Sequence, residues 1–144
     1  IAITTKKQTE KSMVAQSPIL MIKNKCEAFF LRADNILYVE ADGNYCNIRL
    51  VDGGLLQTMS YQRAEIVRMM DQQFPEEWRR QFVLLGKSYL INMSYVMRIQ
   101  PSKRRLTFSV NIFGTTEKCS ISATSAALSS LMDITPNYAI GESS

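Results

Sequence analysis

From Pro18 to Ile121 the chain is written in short apolar runs broken by turn residues, the spacing expected of packed β-sheets rather than of a helical bundle. Expected strands fall at 19–23, 27–31, 36–41, 45–50 and 55–58, and again at 81–85, 89–92, 96–100, 105–110 and 116–121. Alternation is plainest where Tyr45, Asn47 and Arg49 interleave with Cys46, Ile48 and Leu50. Asp42-Gly43-Asn44 and Asp52-Gly53-Gly54 provide the positive-φ positions that hairpins need, and 101–104 reads as a basic hairpin turn. Over 60–74 the period changes: Ile66, Val67, Met70 and Phe74 share one helical face, with Ser60 as the expected N-cap and Pro75 as the stop. Ser122 is expected to cap a short final helix that buries Ala127, Leu128, Leu131 and Met132. The pattern therefore predicts a mostly-β fold of about ten short strands, with one amphipathic helix in the middle and a short C-terminal helix.

A chain of 144 residues is long enough for one domain with a single core. The polar, lysine-bearing residues 1–17 read as a flexible leader or linker remnant, 18–134 as the domain, and 135–144 as a tail. Because the chain opens on Ile1 and not Met, it is expected to be the C-terminal piece of a longer protein or an excised one. No apolar run approaches the roughly 20 residues that a membrane span needs, and residues 1–16 lack a signal-peptide core, so the expected compartment is the cytoplasm.

Chemistry is limited by what the composition omits. The chain has no histidine, which removes the commonest general base and metal ligand together. Cys26, Cys46 and Cys119 are odd in number and widely spaced, so they suggest neither a disulfide framework nor a metal site, and no thiol has a histidine to activate it. No catalytic residue, metal or cofactor is expected.

Charge, by contrast, is unevenly placed. The net charge is only +4, yet Asp and Glu are absent from Trp78 through Thr116, where Arg79, Arg80, Lys87, Arg98, Lys103, Arg104 and Arg105 fall. Such a segment suits a polyanion, since each cation that neutralises a phosphate releases counterions. Charge alone leaves a membrane surface or an acidic protein as equal alternatives. The helix-turn-helix signature is missing, so any nucleic-acid contact must come from loops.

Three marks narrow the choice. Ile36-Leu37-Tyr38-Val39-Glu40-Ala41-Asp42-Gly43-Asn44-Tyr45 is a buried strand running into a Gly-Asn-Tyr turn. Phe82 through Ser88-Tyr89-Leu90-Ile91-Asn92, followed by Val96-Met97-Arg98-Ile99, is the second mark, and Ile121-Ser122 before the last helix is the third. In order and content these resemble the LytTR domain, the mostly-β DNA-binding module of LytR/AlgR-type response regulators, over about 19–132.

The resemblance implies an elongated arrangement of packed sheets whose edge loops enter neighbouring major grooves of double-stranded DNA. It also implies a homodimer on repeated half-sites, a receiver domain in the full-length chain and a cognate sensor kinase. By analogy the DNA-binding loops are 42–45, with Asn44 and Tyr45; 86–88, with Lys87 and Ser88; and the helix start at 122–125, with Ser122 and Thr124. Arg79, Arg80, Lys103, Arg104 and Arg105 are candidate flanking phosphate contacts, while Asn92 is expected to tie down its own turn. The family usually carries Arg, His and Arg before the Ser and an Arg after the last Ser. Here Leu84, Gly86, Lys87 and Ala123 stand in those places, which predicts an altered recognition code. The competing reading is a protein-interaction or oligomerisation β-domain that kept the fold and discarded DNA readout.

Overall fold

Strand alternation and turn chemistry set the elements of the protein, seen here in a computed structural model that describes residues 16–58 and 61–134. Ten strands form among the described residues: β1 (Ile19–Lys23), β2 (Ala28–Arg32), β3 (Ile36–Asp42), β4 (Tyr45–Leu50), β5 (Leu55–Thr58), β6 (Phe82–Leu85), β7 (Tyr89–Asn92), β8 (Val96–Gln100), β9 (Arg105–Ile112) and β10 (Thr115–Ser122). Three helices join them: α1 (Arg63–Gln73), α2 (Glu76–Arg79) and α3 (Ser125–Ile134). The strands make a five-stranded sheet in the order β5-β4-β3-β7-β6, a three-stranded sheet β10-β9-β8, and the two-stranded ribbon β1-β2. Every pairing is antiparallel.

The five-stranded sheet is buried on both faces, which explains why β3 and β7 read as nearly continuous apolar runs. On one face Val39, Cys46, Ile48 and Leu90 pack with Ile66, Met70 and Phe74 of α1 and Leu20 and Ile22 of β1. On the other, Leu85 and Ile91 pack with Leu106, Phe108, Val110 and Ile121 of the three-stranded sheet and with Leu128 and Leu131 of α3. Successive residues Leu90 and Ile91 thus feed opposite cores, as the two-residue period of a strand requires. Each such side chain contributes about 1.5–3 kcal/mol by leaving water. The Gln73 side chain clips α1 to the ribbon, accepting from Met21 N at 2.8 Å and donating to Met21 O at 3.1 Å.

Several expectations are corrected. The middle helix begins at Arg63, with Gln62 as its N-cap, and Ser60 lies outside the described residues. Glu65 decides that boundary, because its carboxylate accepts from the Gln62 N–H at 3.0 Å and so closes the first turn there. Pro75 does end α1, but its fixed φ also opens α2, an element the pattern did not suggest. Ser122 is not a helix cap: it is the last residue of β10, paired with Arg105. Thr124 takes the role instead, its hydroxyl accepting from Ala127 N at 3.1 Å. Leu128 and Leu131 are buried as expected, whereas Met132 is 47% exposed. The proposed leader and tail fall largely outside the described residues. Ser17 does not behave as part of a leader: it is 5% exposed, and its hydroxyl accepts from Asp34 N at 2.9 Å.

Candidate nucleic-acid interface

Sheet topology places two of the expected loops side by side. β3 pairs with β7 through Glu40↔Tyr89, and the pairing is extended by a hydrogen bond from Ala41 N to Ser88 O at 2.7 Å. The β3–β4 turn and the β6–β7 turn therefore emerge from the same end of the five-stranded sheet, on strands about 4.8 Å apart. Asp42 pairs with Tyr45, leaving Gly43 and Asn44 as a two-residue loop. Gly43 takes φ +63° at the first loop position, where such a turn calls for glycine, and this puts Asn44 at the exposed tip. Beneath it Asn47 donates to Asp42 Oδ2 at 3.4 Å and accepts from Gln57 Nε2 at 3.0 Å, a polar ladder across β3, β4 and β5 that steadies the hairpin.

The third segment joins from α3. A Cβ on Gly86 would stand 3.7 Å from the Ala127 Cβ, so the first turn of α3 lies against the 86–88 loop. Gly86 itself takes φ +59°, a conformation that costs glycine nothing and other residues about 1 kcal/mol. The start of α3 is in turn tied to the β8–β9 turn: Ser125 Oγ donates to Pro101 O at 2.7 Å and Ala123 N to Arg104 O at 3.2 Å. Lys103 and Arg104 are consequently carried to the same neighbourhood, with Arg105 and Ser122 paired just behind them. Lys87, Lys103, Arg104 and Arg105 are exposed and make no ion pair with any described residue, and Asn44 and Ser88 side chains make no hydrogen bond with any. This end of the molecule therefore presents cations and polar tips without side-chain partners among the described residues.

Arg79 and Arg80 do not join it. They close α2 just before β6, at the opposite end of that strand from Gly86. The acid-free segment of the sequence is thus split in space, and only part of it faces the loops. Tyr45 is half-buried and lines a groove of about 460 Å³ with Ala41, Cys46, Arg63, Leu84 and Lys87, so its ring shapes the wall between the two loops. Leu84 and Gly86 do lie at the site, Leu84 being 51% exposed, while Ala123 is half-buried against the second core.

Composition did not single out Arg63. Its Nη1 donates to Gly86 O and to Tyr89 O, both at 3.0 Å. Asn92 behaves as expected: fully buried, it accepts from Ser94 N at 3.1 Å and Ser94 Oγ at 2.6 Å and donates to Ile36 O at 2.9 Å. Burial first, then the neighbouring Glu40 carboxylate, pushes the Tyr89 hydroxyl up to about 12, so it stays a donor to Glu40 Oε2 at 3.3 Å. Burial also pushes the Cys46 thiol up, away from the thiolate that a nucleophile needs. Among the described residues no group of three or more His, Cys, Asp or Glu could hold a metal ion, and no helix is long and apolar enough to cross a membrane.

An antiparallel sheet that displays short polar loops, with cations that make no ion pair among the described residues, at one end has the form of a β-domain that meets nucleic acid through loops. The family model described as the LytTr DNA-binding domain matches residues 27–129, and the chain belongs to that family. Among solved structures it is similar to the LytTr DNA-binding domain of a putative methyl-accepting/DNA response regulator from Bacillus cereus, at 15% identity and a TM-score of 0.50, covering 81% of this chain and 94% of that one. That likeness bears on the fold. Comparison with curated proteins found no match. The described residues form a mostly-β domain of this DNA-binding family.

Proposed function

We propose that this domain recognises specific double-stranded DNA sites as the effector of a bacterial transcription regulator, through the loop-bearing end of the five-stranded sheet. Asn44 and Lys87 address base edges in the grooves, and Ser88 and Thr124 address backbone oxygens with the first N–H groups of α3. Lys103, Arg104 and Arg105 grip flanking phosphates. Ser122 and Tyr45 support these groups from behind. The observation that carries the proposal is the convergence of three sequence-distant segments, 43–44, 86–88 and 123–125, with the 101–104 turn at one end of the fold. Pairing two such domains on repeated half-sites, under a receiver domain phosphorylated by a sensor kinase, is the assembly that fits a LytTr effector.

The test is selection of bound sequences from random duplex DNA, followed by salt titration of the winner and an unrelated duplex. A preferred sequence whose affinity falls steeply with salt supports the proposal. Equal, feeble binding to every duplex would instead favour a domain that has lost DNA readout.

A further inference from the structure

We propose that Arg63 is a positioning residue for DNA recognition, holding the Gly86-Lys87-Ser88 loop in its reading shape without touching DNA itself. The inference rests on the loop-bearing end being the DNA-binding surface. Its basis is how the carbonyls of that loop are used. Gly86 O and Tyr89 O both accept from Arg63 Nη1 at 3.0 Å, and Ser88 O accepts from Ala41 N at 2.7 Å. Acceptors from residues 86, 88 and 89 are therefore all drawn inward, by α1 on one side and β3 on the other.

A loop so held has little choice about where its side chains go. With the backbone acceptors engaged, Lys87 and Ser88 are left exposed, and neither side chain has a partner among the described residues. The clamp matters more because Gly86, at φ +59°, has no side chain whose packing could hold that conformation, which leaves the task to bonds of its backbone. Glycine has the largest conformational freedom to lose, and an unclamped loop would lose it on meeting DNA. Arg63 is itself fixed: it is the first residue of α1, whose opening turn is closed by Glu65 and whose Ile66 and Met70 are buried against the sheet. A guanidinium is suited to the task, since it stays charged and one nitrogen reaches two carbonyls.

The experiment compares Arg63→Ala, Arg63→Lys and Arg68→Ala with the wild-type domain. Arg68 is exposed on the same helix and removes an equal charge without a bond to the loop. Amide hydrogen exchange and nitrogen-15 order parameters of Lys87 and Ser88 are recorded in the free domain. Affinity is then measured for the selected site and an unrelated duplex across a salt series. Positioning predicts faster exchange and lower order at 86–88 in Arg63→Ala, with affinity for the selected site falling roughly tenfold or more, the size of a lost charge-assisted bond. Nonspecific affinity and salt slope should match those of Arg68→Ala, and Arg63→Lys should restore part of the specificity. An unchanged loop in the free Arg63→Ala domain overturns the clamp. So does an equal loss on both duplexes with a reduced salt slope, which would make Arg63 a direct phosphate contact. Should the wild-type domain show no sequence preference, the DNA assignment of this surface fails, while the free-domain measurements still decide the clamp.

Discussion

Lys87→Met removes the charge of the 86–88 loop while keeping most of its stem, and its effect can be worked out before measurement. Lys87 is exposed and unpaired among the described residues, so none of them competes for its ammonium. A charge-assisted contact to phosphate or guanine contributes about 1.5–3 kcal/mol, or roughly 10- to 150-fold in affinity. If the contact is to a phosphate, the slope of log affinity against log salt should also shrink by about 0.9. Arg79→Ala is the matched control, because Arg79 precedes β6 and Lys87 follows it. A four-residue strand spans roughly 10 Å, more than the ~8 Å Debye length at physiological ionic strength, so Arg79 does not feel a phosphate docked at the loop. Fluorescence anisotropy with the selected duplex, at several salt concentrations, reads both quantities. Equal losses in the two variants, or none in Lys87→Met, would refute the placement of the DNA surface.

Three further outcomes follow from the same geometry. Asn44→Ala should cost little stability, since its side chain bonds to no described residue, yet flatten discrimination among single-base variants of the site by about 1–3 kcal/mol; competition binding and a melt check the two halves. Asn92→Ala deletes three hydrogen bonds, one of them to the Ile36 carbonyl, so urea denaturation should show a loss of about 3 kcal/mol with an unchanged m-value, and a loss below about 1 kcal/mol would count against that network. Tyr89 has a folded-state pKa raised from 10.0 to about 12, so its neutral form is favoured by the fold: the stability it protects is intact below pH 10.0 and is lost as pH climbs towards 12. The decline in melting temperature over that window should be shallower in Tyr89→Phe, and superimposable profiles would show that burial beside Glu40 is not its cause.

The sheet was legible wherever residues obey one local rule. Cys46 and Ile48 alternate with polar neighbours and are buried, Gly43 takes the positive φ its turn demands, and Asn92 ties its own turn. Misplaced boundaries came from local rules in competition. Ser60 and Ser122 are good caps by residue type, but Glu65 reaches back to Gln62, and pairing with Arg105 keeps Ser122 in β10. Pro75 carries two signals at once, a stop for one helix and a start for the next. The role of Arg63 was not legible, because its acceptors lie 23 and 26 residues away and are backbone atoms, which carry no residue identity. Likewise a run without acids is one stretch in sequence, yet β6 carries its two ends apart in space.

If the loop-bearing end binds DNA as proposed, Leu84, Gly86 and Ala123 would change how recognition is divided, not only how much of it there is. Arginine reads guanine through a planar fork, whereas Lys87 offers a compact charge that serves guanine or phosphate about equally well. There an exposed Leu84 would offer apolar contact in place of a donor, and Gly86 would offer no side chain at all. On the proposed surface base discrimination falls to Asn44 and Lys87, while Lys103, Arg104 and Arg105 supply phosphate attraction that does not depend on sequence. A domain weighted this way gains specificity chiefly from the rigidity with which its loops are presented, because an imprecisely held lysine finds a phosphate on any duplex. Under the proposed clamp, the inward bonds from Arg63 and Ala41 to the 86–89 backbone are the part of the site on which sequence preference would most depend.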